Sequence, residues 1–263
     1  MFKTRLLSGI VLVLVALLTI ISGGPILFMT LLCISLIGMQ ELYRVMGVQS
    51  GKFNLLQAAG YLGILLYYVL IYFDLGQYGE LALIAALVLI MFVYVFTYPK
   101  YHANQIMAAF LGIVYVGVML SYIYQIRMLP DGKILVWLVF ICSWGCDTCA
   151  YCVGMLIGKH KMAPVLSPKK SVEGAVGGVV GAALIGVAYA AVFGKDMVVY
   201  AVISAAGALI SMVGDLAASA IKRNMNIKDY GTLIPGHGGI LDRFDSVIFT
   251  APIIYFLATL FIG

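Results

Sequence analysis

The chain has 263 residues, 63% of them hydrophobic and 10% charged, with a mean hydropathy of +1.09 and a net charge of +5. Soluble globular domains carry about 25% charged residues, so the composition excludes a soluble protein and predicts an all-α, polytopic integral membrane protein. The positive charge implies little beyond attraction to anionic lipid. The basic residues sit in short interhelical loops, so no nucleic-acid partner is expected.

A spanning helix needs about 20 apolar residues. Nine windows qualify: 6–22, 26–46, 55–73, 81–98, 105–126, 134–157, 174–193, 197–220 and 246–262. They read as a single membrane domain, 1–263, whose N-terminal helices (1–140) are mainly structural and whose C-terminal part (141–263) carries the chemistry. Lys3 and Arg5 before the first window and Ser22-Gly-Gly behind it resemble a signal peptide. Its 17-residue core is long for such a segment, and a retained helix is expected. With the N-terminus inside, only Arg127, Lys133 and Lys195 of the 16 lysines and arginines fall outside. By the positive-inside rule the N-terminus and the polar loops 158–173 and 221–245 are cytoplasmic, whether or not the first helix is cleaved.

Residues 1–140 show no evident site. Glu41 and Arg44, at i, i+3, are expected to form a local ion pair. Tyr67, Tyr68, Tyr72 and Phe73 resemble an interfacial aromatic belt. This half is expected to supply lipid-facing packing and an oligomer contact, as in a homodimer.

The sixth window places Asp147 near mid-membrane, where an ionised side chain costs about 3 kcal/mol on insertion scales. Asp147, Tyr151, Gly154 and Gly158 share a helical face, which suggests a polar cavity with close backbone approach. The bland alternative is an aspartate bonded to Ser143 or to a neighbouring helix for packing alone. Four of the five cysteines (Cys142, Cys146, Cys149, Cys152) crowd this window. They are expected to pack as small polarizable groups, and the alternative for Cys146-x-x-Cys149 is a zinc or redox site, which needs ligands facing one another in a polar pocket. Gly154-x-x-x-Gly158-Lys159 is one residue short of a P-loop, lacks the Ser/Thr and follows no strand. Downstream, Ser171 reads as an N-cap with Glu173 in the first turn. Lys169 and Lys170 lie beside that N-terminus, a favourable place for phosphate. Gly174, Gly177, Gly178 and Gly181 would let the seventh helix approach the sixth or eighth closely.

Charge concentrates in Ser211–Ser246. On the eighth helix Asp215, Ser219 and Lys222 share a face at i, i+4, i+7, and Asp242 and Asp245 share one if the ninth helix begins near Leu241. Bringing Asp215 and Asp242 together would make a hard, oxygen-rich site suited to Mg²⁺, with a second cation left open. Pro235-Gly-His237-Gly238-Gly239 can turn sharply and point N–H groups inward as an anion nest, with Lys222, Arg223, Lys228 and Arg243 around it. The bland alternative for Asp229 is a solvated pair with Lys228. His237 reads as a loop cap or phosphate donor, and Asp245 as a supporting group or a partner of Arg243.

These runs resemble the signature of bacterial phosphatidate cytidylyltransferases, also called CDP-diacylglycerol synthases. The match comprises Asp147-Thr148-x-Ala150-Tyr151-x-x-Gly154, Ser167-Pro-Lys-Lys-Ser-x-Glu-Gly174, Ser219-x-x-Lys222-Arg223, Lys228-Asp229, Pro235-x-His237-Gly238-Gly239 and Asp242-Arg243-x-Asp245. The resemblance implies that CTP and phosphatidate in the membrane yield CDP-diacylglycerol and pyrophosphate. The expected catalytic residues are Asp215, Asp242, Asp245, Lys222 and Arg223, with Asp215 and Asp242 on the metal. Substrate contacts are expected from Asp147, Tyr151, Lys169, Lys170, Ser219, Lys228, His237, Gly238, Gly239 and Arg243. A CTP-dependent polyprenol kinase is the nearest rival. The CDP-alcohol phosphotransferase pattern is missing. A transporter also explains intramembrane aspartates, but its sites usually lie between related halves, and here the charges gather in one half near one surface.

Overall fold

The computed structural model describes residues 2–49, 51, 53–236 and 238–262, with side chains from Ser8 onward. Nine helices form among these residues: α1 (Phe2–Ser22), α2 (Gly24–Val45), α3 (Leu55–Tyr72), α4 (Gly79–Phe96), α5 (Ala103–Met128), α6 (Gly132–Ile157), α7 (Val172–Val192), α8 (Met197–Asn224) and α9 (Leu241–Phe261). The last eight are long and apolar enough to cross a membrane, and the described apolar part of α1 runs Ser8–Ser22. The protein is therefore an all-α, multi-pass membrane protein, as its composition requires. Each expected window falls on one helix. α9 begins at Leu241, ahead of its apolar window, which meets the condition for Asp242 and Asp245 to share a face. Asp242 in its first turn suits the positive end of the helix dipole, so the polar residues ahead of the apolar run are helical too.

The chain divides into two compact units. The first holds residues 1–124 and 229–242. In it α3 packs on α4, and both α2 and α3 pack on the π-helical segment Gly112–Val118 inside α5. Tyr43 is fully buried and donates its hydroxyl to the Ala109 carbonyl at 2.7 Å. A Cβ at Gly60 or Gly112 would collide with its ring, so these two glycines make room for an aromatic wedge. Asn54 and Gln57 close a reciprocal capping box at the start of α3.

The second unit holds residues 125–228 and 243–263. Here α7 packs on both α6 and α8. Its buried stripe is Gly174, Gly178, Ala182, Gly186 and Ala190, small residues four apart. A Cβ at Gly174 would lie 3.2 Å from the Gly154 Cα, and one at Gly178 2.9 Å from the Ala150 Cβ. Without side chains between them the backbones meet, which is how membrane helices gain dispersion contact. The cysteines join this packing: Cys142 lies against Gly207, Cys146 against Gly178 and Cys149 against Gly181. Between α6 and α7 the sequence reading saw only a loop. The structure forms a short hairpin there, β1 (Lys161–Ala163) with β2 (Ser167–Ser171), pairing Lys161 with Ser171 and Ala163 with Ser167. Pro164 and Pro168, poor strand residues, mask it from a pattern reading.

Candidate active site

In the second unit the polar residues meet at a cavity of about 460 Å³. α6 supplies Asp147, Tyr151 and Gly154 to its wall, β2 supplies Lys169, Lys170 and Ser171, α7 supplies Gly174, and α8 supplies Met212 and Asp215. Each is held there by local structure. A π-helical turn, Ile141–Gly145, immediately precedes Asp147 in α6, a feature found often at functional sites. Ser143 donates to the Val139 carbonyl at 2.7 Å. Its one hydroxyl proton is therefore not available to Asp147. The Ser171 side chain caps α7 by accepting from Gly174 N–H at 3.1 Å. Glu173, in the first turn, accepts from the Lys159 and His160 N–H groups at 3.1 and 3.2 Å, which ties the end of α6 to the start of α7. The hairpin thereby fixes Lys169 and Lys170 at the cavity.

Lys170 forms an ion pair with Asp215, and Ser219 approaches the other oxygen of the same carboxylate at 3.5 Å. Asp147 and Asp245 both lie within electrostatic reach of Asp215, with Lys170 and Arg243 acting on Asp147 and Lys222 acting on Asp245. Three carboxylates on α6, α8 and α9 are thus interleaved with three cations. Met155, Met162, Met212 and Tyr151 also line the cavity. Such a space suits a molecule with an anionic head and a hydrocarbon body. Arg223 donates to the Ile227 carbonyl at 3.5 Å and is not in the cavity wall. Lys228 is exposed.

The Gly-rich turn belongs to the first unit. Its Ile234 N–H donates to the Gly238 carbonyl at 2.9 Å, which closes a tight loop. Asp242 is 7% exposed, and its Oδ2 accepts from Tyr230 N–H at 2.7 Å and Gly239 N–H at 2.9 Å. Gly238 has φ +86°, and a Cβ there would press on the Asp242 carboxylate and on Asp229. The expected inward-pointing N–H groups are present, but those of Gly239, Ile240 and Leu241 already bind protein carboxylates. His237 lies outside the described residues. Asp215 and Asp242, expected as a pair, belong to different units, and each has partners in its own.

The family signature misses two residues in α2. Glu41 is buried and accepts from the Ile240 and Leu241 N–H groups at 3.0 and 2.9 Å. Arg44 donates to the Tyr230 carbonyl at 2.6 Å. The expected local pair is replaced by two long-range anchors on the loop, because unsatisfied N–H groups at a helix start bind a carboxylate strongly. A glutamate inside an apolar window was a visible signal. Its partner, about 200 residues away, was not.

The sequence model of the Cytidylyltransferase family matches residues 3–261. The chain belongs to this family. It is 31% identical to the phosphatidate cytidylyltransferase of Bacillus subtilis over 270 residues, covering 98% of each chain. It is similarly close to the phosphatidate cytidylyltransferase of Staphylococcus epidermidis (31% over 263 residues, 97% of this chain and 98% of the relative) and to that of Staphylococcus saprophyticus (32% over 262 residues, 97% and 98%). The protein is a nucleotidyltransferase, and the cavity built from α6, β2, α7 and α8 is lined by residues of its Asp147–Gly154 and Ser167–Gly174 motifs and by Asp215.

Proposed function

We propose that the protein is a phosphatidate cytidylyltransferase, which transfers CMP from CTP to phosphatidate and releases pyrophosphate. The observation that carries this reading is the cavity of the second unit, lined by Asp147, Lys169, Lys170 and Asp215 together with three methionines. Lys169 and Lys170 would hold phosphate oxygens, and the methionines would take the glycerol end of the lipid while its tails stay in the bilayer. The lipid phosphate is already an oxyanion at neutral pH, so the protein needs no strong base. What it must do is screen two anions, hold them in line and stabilise the departing pyrophosphate, and fixed cations achieve this.

The carboxylates expected to hold Mg²⁺ are Asp215 and Asp242, and Asp215 is the one at the cavity. It already draws the Lys170 ammonium, and Mg²⁺ takes one or two carboxylates alongside substrate phosphates. When bound, the ion would supply charge neutralisation at the transferred phosphate. Lys170, released from Asp215, would then turn to phosphate. Asp147 and Asp245 would keep the surrounding cations oriented, and Asp242 would keep the Gly-rich turn folded. A site facing the cytoplasm is supported by the bias of 13 inside against three outside basic residues, and a plasma-membrane location accords with the eight long apolar helices and the bacterial relatives.

The test is purified protein with CTP, Mg²⁺ and phosphatidate, with pyrophosphate and CDP-lipid followed together. Equal yields of both, lost in Asp215→Asn, support the reading. Release of CDP with a phosphorylated lipid points to a kinase, and the absence of either product refutes the transferase.

A further inference from the structure

The first backbone donors of α7, which lie where phosphate was expected, are already taken by the protein. The Val172 N–H binds the His160 carbonyl at 2.9 Å, the Glu173 N–H binds its own carboxylate, and the Gly174 N–H binds the Ser171 Oγ at 3.1 Å. What this corner of the second unit still offers is the Ser171 hydroxyl proton. Ser171 is 8% exposed and lines the cavity beside Lys169 and Lys170. A hydroxyl carries one proton and two acceptor lone pairs, and the bond from Gly174 uses only a lone pair. Other buried hydroxyls of this unit spend their proton on a carbonyl one turn back, as Ser143 does on Val139 and Thr250 on Ser246. Ser171 stands ahead of its helix and has no such carbonyl. Among the described residues its proton meets no acceptor, and buried polar groups are normally satisfied.

The surroundings hold this hydroxyl in place. A Cβ at Gly154, Gly158 or Gly174 would lie 3.0, 2.6 or 2.9 Å from the Ser171 Oγ, so three glycines at the junction of α6 and α7 leave the oxygen its room. Pairing of Ser171 with Lys161 fixes the backbone behind it. We propose that the Ser171 hydroxyl donates to a phosphate oxygen of a bound substrate, an inference that rests on the reading of this cavity as the transferase site. One lone pair caps α7 while the proton holds the phosphate. The Gly174 N–H polarises the hydroxyl and strengthens it as a donor. An O–H group adds this contact without adding charge beside two ammonium groups. The phosphate belongs either to the lipid or to the nucleotide, and the two are told apart by which Michaelis constant moves.

The experiment uses the full-length protein in detergent with CTP, Mg²⁺ and phosphatidate. It compares the wild type, Ser171→Gly and Ser171→Thr by KM for each substrate and by hydrogen exchange over residues 159–174. Glycine is itself a favoured N-cap residue, so the helix start is kept while the hydroxyl is lost. Ser171→Gly should raise KM about 10–10²-fold, the usual worth of a hydrogen bond to a charged group, with little change in kcat and unchanged exchange. Ser171→Thr keeps both the cap and the proton and should restore KM to within about threefold of the wild type. A rise confined to phosphatidate assigns the lipid phosphate, a rise confined to CTP assigns the nucleotide's, and a rise in both places the hydroxyl between them. Unchanged KM for both substrates, a rise accompanied by faster exchange, or a threonine variant no better than glycine overturns the role of Ser171 while leaving the transferase intact. A wild type that makes no CDP-lipid overturns the transferase reading, and the role of Ser171 falls with it.

Discussion

Glu41→Ala removes an acceptor from two buried backbone donors at once. A hydrogen bond to an ionised group contributes about 1.5–3 kcal/mol, so losing the bonds from Ile240 and Leu241 should ease opening of the 229–242 loop by about 3–6 kcal/mol. At 1.4 kcal/mol per decade, the amides of Ile240 and Leu241 should exchange about 10²–10⁴-fold faster in hydrogen-exchange mass spectrometry. Glu41→Gln keeps one acceptor oxygen and should show about half that effect in free energy. Glu80→Ala, an exposed acid in the first turn of α4, is the control and should leave the loop unchanged. Unaltered protection of residues 239–241 in Glu41→Ala would refute the anchoring role assigned to this carboxylate.

Lys170→Met should lower kcat/KM for transfer by about 10²-fold, the usual loss when one fixed cation or donor leaves a charged transition state. The same variant frees Asp215, so Mn²⁺ binding followed by electron paramagnetic resonance should tighten or hold, and a loss of binding would contradict the cation-site assignment. Gly178→Val drives methyl groups into Ala150 and the Cys146 carbonyl. It should destabilise the protein by about 1–3 kcal/mol, seen as a lower melting temperature, whereas Leu184→Ile on the exposed face of α7 should not. Cys149→Ala and Cys152→Ala should retain transfer activity within about twofold under both reducing and oxidising conditions, because these thiols are packing groups. A redox-dependent rate would revive the Cys-x-x-Cys reading.

Helix placement was readable from hydrophobic run length alone, because the bilayer imposes one length scale on every span. The Asp147–Tyr151–Gly154 face and the Ser171 cap were readable for the same local reason, since helical periodicity and capping chemistry act over a few residues. The interior glycines of α7 also announced close packing, although not that it faces both α6 and α8. What stayed hidden required partners distant in sequence. Glu41 and Arg44 looked like neighbours at i, i+3, and only the fold shows that each binds the loop near residue 240. The π-helical turns in α5 and α6 leave no compositional mark. Lys170 was readable as a phosphate group, but its pairing with Asp215 depends on the hairpin that two prolines concealed.

The anchor between α2 and the Gly-rich loop also constrains how the chain is made. Glu41 and Leu241 are 200 positions apart, and the loop that satisfies Glu41 is synthesised just before the last helix. At about 5–20 residues per second, α2 waits in the membrane for about 10–40 s with its carboxylate unsatisfied by its final partners. A nascent chain arrested at residue 228 should therefore leave Glu41 open to a carboxyl-modifying carbodiimide, and the released full-length chain should protect it. The first unit thus cannot finish folding in the order in which it is translated. Its completion reports that nearly the whole chain has emerged from the ribosome.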